Sequence, residues 1–97
     1  MVKQISIYEM DAHELIKCKE VIMTDLSEAR LEFKKQEARL LLETDFKELK
    51  LTNDKMRTAY ITEQLFNHKT RIETLEIRLT IVSDLLRLRL TEGGETQ

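Results

Sequence analysis

The chain has no proline and no tryptophan, and only two of its 97 residues are glycine. Sheets and long loops depend on turns, and turns are built largely from glycine, proline, asparagine and aspartate. The near absence of the first two residue types argues against a sheet-based fold. We therefore expect one helical domain over residues 1–97.

The sequence also lacks a cysteine pair, a membrane-length apolar run and a dominant charge. Cys18 is the single cysteine, and the longest purely aliphatic run, Leu40 to Leu42, is far too short to cross a bilayer. The chain has sixteen Lys and Arg and eighteen Asp and Glu, which gives a formal charge of −2. This charge does not attract nucleic acid or an anionic membrane electrostatically. We expect a cytoplasmic protein without a membrane partner.

Leucine, isoleucine and valine are abundant, and they recur at helical spacing. The stretch RIETLEIRLTIVSDLLRLRL, residues 71–90, belongs to a stripe with alternating steps of four and three, which is the spacing of a coiled-coil seam. We call it the downstream seam, and its members are Ile61, Leu65, His68, Ile72, Leu75, Leu79, Val82 and Leu86.

This seam predicts helix two over residues 54–91. Thr52 or Asn53 is the expected cap at its start, and Gly93 and Gly94 mark its end. Residues 92–97 have nothing to bury, so we expect a disordered tail there.

A second stripe predicts helix one over residues 9–44. This upstream seam consists of Leu15, Cys18, Ile22, Leu26, Ala29, Phe33, Gln36 and Leu40. Two starts remain open, because Ser6 with Glu9 and Asp11 with Glu14 both have capping-box spacing. Residues 1–8 form a tail or a short segment in this interpretation.

Residues 45–53 are the predicted connector, because the heptad phase fails there and residues that compete with helical hydrogen bonding cluster around it. A bend at this point pairs the helices antiparallel, and the resulting register sets Ile22 opposite Leu75 and Leu15 opposite Val82. If residues 44–53 stayed helical, one unbroken helix would pair in parallel instead, which we consider the less favourable arrangement.

Two helices alone do not cover all of the apolar surface. A second stripe beside the downstream seam contains Ile77, Ile81, Leu85 and Leu88, while helix one adds Leu31, Ala38, Leu41 and Leu42. The predicted fold is therefore all-α: a long, coiled-coil-like antiparallel two-helix hairpin that closes into a four-helix bundle as a homodimer. The alternative is a hairpin that docks on a different protein.

Basic side chains gather at the predicted connector, where they lie near a helix N-terminus. The candidate contacts for a phosphate group or an acidic protein partner are Lys47, Lys50, Asn53, Lys55 and Arg57. Asp45, Glu48 and Asp54 interleave with them, and this favours a plain, solubilising connector. The alternative function is an RNA- or DNA-binding hairpin dimer that uses the connector lysines or the arginines of helix two.

Chemistry beyond binding has little support in the sequence. His13 and Cys18 suggest a small metal or redox site, but further converging ligands are missing. His68 in the seam would act either as a pH switch or, more simply, as a polar residue that fixes the register. We find no catalytic arrangement and predict neither an enzyme nor a cofactor.

The segment TDFKELKLTNDKMRTAYI, together with the later LLRLRL, resembles small helical proteins of tailed phages and prophages. The likeness covers roughly residues 40 to 90. It implies a viral or prophage origin and a location in the cytoplasm of the host cell. Most proteins of this kind have no assigned activity, so the resemblance supplies no mechanism. Asn53, Lys55 and Arg57 match the recurrent connector of that group. The expected function is a non-enzymatic interaction protein that binds a host or phage protein through exposed helix faces.

Overall fold

The computed structural model describes the backbone of residues 9–95 and the side chains of residues 9–91. This part of the chain contains three helices and no strand. They are α1 (Ala12–Glu43), α2 (Asp54–Gln64) and α3 (Phe66–Glu95). The all-α class predicted from composition and periodicity is confirmed. No helix of these residues has both the length and the apolarity that a membrane span requires.

The start of α1 distinguishes between the two predicted caps. The Asp11 Oδ1 atom accepts a hydrogen bond of 2.8 Å from the Glu14 backbone N–H, and the helix begins at the next residue, Ala12. An acidic cap also suits the positive end of the helix dipole. Ser6, the other predicted cap, and the tail predicted for residues 1–8 lie outside the described residues.

Helix two differs from its prediction in two places. It is divided into α2 and α3 at Leu65, whose backbone angles of φ −97° and ψ 6° depart from helical values. The break is local, because the Leu65 N–H still donates to the Ile61 carbonyl and the Lys69 N–H to the Leu65 carbonyl. At the other end α3 continues through Gly93 and Gly94 to Glu95, where a tail was expected, since glycine weakens a helix without forbidding it. Residues 96–97 are not described.

The chain forms two compact units. In the first unit, residues 9–26 pack with residues 74–95. Its core contains Leu15 of α1 and Val82 of α3, both fully buried, together with buried Ile22 of α1 and Leu75 of α3. The Arg89 Nε atom donates to the Met10 carbonyl oxygen at 3.2 Å, which ties the end of α3 to the residues just before α1.

The second unit comprises residues 27–73, which include the later part of α1, the connector, α2 and the start of α3. Ala29, Ile61 and Leu65 are buried there, and Phe33 and Ile72 are half-buried. Apolar residues of α1 and of α2 and α3 line shared grooves along this unit.

The burial pattern follows the two predicted seams. All eight buried hydrophobic residues of the described part are members of one seam or the other, and the remaining members are half-buried. Ile22 and Leu75, which the predicted register sets opposite each other, line one groove in the first unit. The packing therefore uses the face on which the heptad spacing placed the apolar residues.

Candidate functional site

The connector is an ordered turn rather than an open loop. The Asp45 Oδ1 atom accepts a hydrogen bond of 3.1 Å from the Glu48 N–H, and the Asp45 carbonyl accepts another from the Leu49 N–H. The Leu51 N–H donates to the Phe46 carbonyl at 2.9 Å, and the Lys50 N–H donates to the Lys47 carbonyl at 3.0 Å. These two bonds have the pattern of a Schellman motif, the common ending of a helical segment.

Lys50 occupies the left-handed position of that motif, with φ at 59°. This position usually belongs to glycine, because a side chain there crowds the following carbonyl. Its backbone bends the chain, and its ammonium group lies on the exposed surface. The connector therefore carries local strain at one of the predicted contact residues.

Asn53 caps α2. Its Oδ1 atom accepts a hydrogen bond of 2.9 Å from the Met56 N–H, and its backbone is extended, as an N-cap requires. Of the two predicted caps, Thr52 and Asn53, the structure therefore uses Asn53. The Asn53 side-chain oxygen is therefore engaged in holding the helix end.

Arg57 is the most heavily engaged of the predicted contact residues. Its Nε atom donates to the Leu51 carbonyl at 3.1 Å, and its guanidinium lies over the Phe46 ring, 5.8 Å from the centroid. Its Nη1 atom lies 3.5 Å from the Asp54 Oδ1 atom. These three contacts give Arg57 a structural role within the connector.

The three connector lysines differ from Asn53 and Arg57. Lys47, Lys50 and Lys55 are exposed, and so are the acidic residues that interleave with them, Asp45, Glu48 and Asp54. The three lysines and the three acidic residues balance in number, so these six side chains offer no net positive charge to a phosphate or an acidic surface. Contact of these lysines with a partner stays a prediction.

The second stripe is an exposed apolar feature of the first unit. The side chains of Ile77 and Leu88 are 61% and 54% exposed, Ile81 is exposed, and Leu85 is half-buried. Val21 of α1 is also exposed, and it lines a groove with Ile81. The stripe predicted to need a cover is therefore uncovered in the single chain.

In the second unit, two grooves run along one side of the paired helices. The first, about 420 Å³, lies between α1, the connector and α2, and the second, about 180 Å³, lies between α1 and the α2–α3 junction. Glu37, Ile61 and Thr62 line both grooves, and Leu41 lies in the first of them. Sequence reasoning missed Glu37 and Phe46, because their surroundings depend on how the connector returns the chain.

The remaining candidates are spread along the chain. His13 is exposed near the start of α1, while Cys18 is half-buried in the groove of the first unit. His68 is half-buried in the second unit. No group of three or more potential metal ligands converges among the described residues.

Comparison with known proteins gives no match to a family model, to a curated protein or to a solved structure. Function is therefore inferred from the geometry of the chain itself.

Proposed function

We propose that this protein is a non-enzymatic interaction protein of the phage or prophage type, acting in the cytoplasm of the host cell. Its helices would form a long antiparallel hairpin, two copies would close into a four-helix bundle, and the remaining exposed helix faces would bind a protein partner. The observation that carries the proposal is the exposed second stripe of α3.

Isolated exposed leucines and isoleucines are ordinary on protein surfaces. Ile77, Ile81 and Leu88 differ from such cases because they recur on one side of one helix, next to half-buried Leu85. A fully buried aliphatic side chain contributes roughly 1.5–3 kcal/mol, so a cover over this stripe would add substantially to a small domain. A second copy supplies an identical stripe and gives a closed two-fold contact.

The test is the molar mass in solution, measured by light scattering over a wide dilution series. We expect a plateau at twice the 11.5 kDa chain mass that persists to low concentration. Replacing an apolar stripe residue with a polar one, Ile81→Gln, should shift dissociation to higher protein concentration, because it places an amide in the buried contact.

The matched control is Ile16→Gln. Ile16 is exposed in the same unit, at 43%, but it does not line the groove that Ile81 shares with Val21. We expect this variant to dissociate as the unmodified protein does. A chain that stays monomeric at every concentration would overturn the proposed dimer. If Ile81→Gln and Ile16→Gln shifted dissociation equally, the second stripe would not be the dimer contact.

A further inference from the structure

Glu37 occupies an unusual position for a carboxylate. It is half-buried and lines both grooves of the second unit, between Leu41 and Phe46 in one and Phe33 and Ile72 in the other. Six of the eleven other side chains that line the two grooves are apolar. A carboxylate that is partly removed from water gains more from a cation than one in bulk solvent does.

Glu37 forms no ion pair within the described part of the chain, although charged side chains line the same grooves. Arg57 lines the first groove, but its guanidinium contacts Asp54, Leu51 and Phe46. Lys69 lines the second groove and forms no ion pair with Glu37. Asp54, the other carboxylate of the first groove, is paired with Arg57, so Glu37 is the carboxylate of these described grooves that lacks an ion-pair partner.

We infer that these joined grooves bind an amphipathic helix of a protein partner, and that this helix brings one Lys or Arg to Glu37 among its apolar side chains. The inference rests on the proposed function, and it names where the partner binds and what chemistry it carries. Leu41 and Ile61 would contact its apolar side chains, while Glu37 would select the cation.

The dimensions suit a helix. From Phe33 to Leu41 the α1 wall is about 12 Å long at ~1.5 Å per residue, which corresponds to roughly two helical turns. Apolar side chains at i, i+4 and i+7 of a bound helix span a similar distance. The cleft between two packed helices also accepts the ridge of a third helix.

The charge argues against a second copy in this position. A two-fold contact centred on these grooves would bring Glu37 close to Glu37 of the other copy, because such an interface places the same patch on both sides. Two carboxylates in a partly desolvated contact repel each other. A helix of a different protein with a basic residue would form an ion pair with Glu37, whereas a second copy would place another carboxylate beside it.

The experiment uses two labelled helical peptides as probes. One has leucines at i, i+3, i+4 and i+7 with lysines flanking them, and its twin carries glutamate in place of each lysine. Fluorescence anisotropy at physiological salt follows their binding to the full chain. We expect the lysine peptide to bind at least tenfold more tightly than the glutamate peptide.

Two pairs of variants locate the binding. Glu37→Gln and Leu41→Gln should each lower the affinity for the lysine peptide at least fivefold. Glu28→Gln and Leu42→Gln change exposed residues of α1 that line neither groove, and they should bind within twofold of the unmodified protein. Circular dichroism confirms that all four variants keep their helix content.

Equal binding of the two peptides, or a Glu37→Gln variant that binds as tightly as the unmodified protein, would overturn the inference. A fall in solution mass caused by Leu41→Gln would also overturn it, because the grooves would then hold a second copy. Failure of the proposed dimer is separate: it appears in the dilution series of the unmodified protein, in the absence of peptide.

Discussion

The Arg57 Nε atom donates a hydrogen bond to the Leu51 carbonyl oxygen at 3.1 Å, which joins the first turn of α2 to the end of the connector turn. The same guanidinium lies over the Phe46 ring and near Asp54. Arginine supplies both the planar face and the several donors that this arrangement needs. One side chain thus contacts two residues of the connector, Phe46 and Leu51, and the first residue of α2, Asp54.

We expect Arg57→Ala to lower the free energy of unfolding by about 1–2 kcal/mol, through loss of a charge-assisted hydrogen bond and of the cation–π contact. Arg57→Lys should recover only part of this loss, because an ammonium group cannot reproduce the planar contact. Urea denaturation at one fixed protein concentration measures both. Arg71→Ala, at an exposed residue of the same unit, is the control and should change stability by less than about 0.5 kcal/mol.

The left-handed backbone of Lys50 predicts a stabilising substitution. Lys50→Gly removes a steric cost of about 1–2 kcal/mol at φ 59°, and part of this gain is offset by the greater freedom of glycine in the unfolded chain. We expect a net gain of about 0.5–1 kcal/mol in urea denaturation. Lys47→Gly lies in the same turn, outside the left-handed position, and should destabilise instead. If Lys50→Gly and Lys47→Gly changed the free energy of unfolding equally, the backbone of Lys50 would not be strained.

The cap of α2 predicts a difference between two adjacent polar residues. Asn53→Ala should cost about 1 kcal/mol, because the Met56 N–H loses the oxygen that it contacts at 2.9 Å. Asn53→Asp keeps that oxygen and should be close to neutral. Thr52→Ala serves as the control and should leave the free energy of unfolding unchanged within about 0.5 kcal/mol. If Thr52→Ala lowered the free energy of unfolding more than Asn53→Ala does, Thr52 rather than Asn53 would be the cap.

The buried face of the helices was predictable from sequence because it depends on spacing. Steps of four and three place side chains on one side of a helix whatever covers them, so Leu15 and Val82 were identifiable before their partners were known. The connector boundary was similarly accessible, because Asn53 is a strong capping residue in a segment without heptad phase.

The details of the connector and the grooves were beyond the same reasoning. Nothing local marks Leu65 as a helix break, since it is a good helix former in a regular pattern. The strain at Lys50 and the engagement of Arg57 depend on where Phe46 and Leu51 lie after the turn. Glu37 looked like one more charged residue of a solvated face until the return of the chain placed apolar walls around it.

The nucleic-acid alternative makes a prediction that differs from that of a protein-binding bundle. If Lys47, Lys50 and Lys55 each neutralised one phosphate, affinity for duplex RNA or DNA would fall about fortyfold between 50 and 200 mM salt. We expect no such binding at physiological salt, because exposed Asp45 and Glu48 would repel the phosphates.

An electrophoretic mobility or anisotropy assay across that salt range decides between the two functions. The informative variant carries Gln at all three connector lysines, and the matched control carries Gln at three exposed lysines of α1, Lys17, Lys34 and Lys35. Salt-sensitive binding that the connector variant loses and the control keeps would assign the connector to nucleic acid. Binding lost equally in both variants would reflect net charge alone, since the two variants remove the same number of cations.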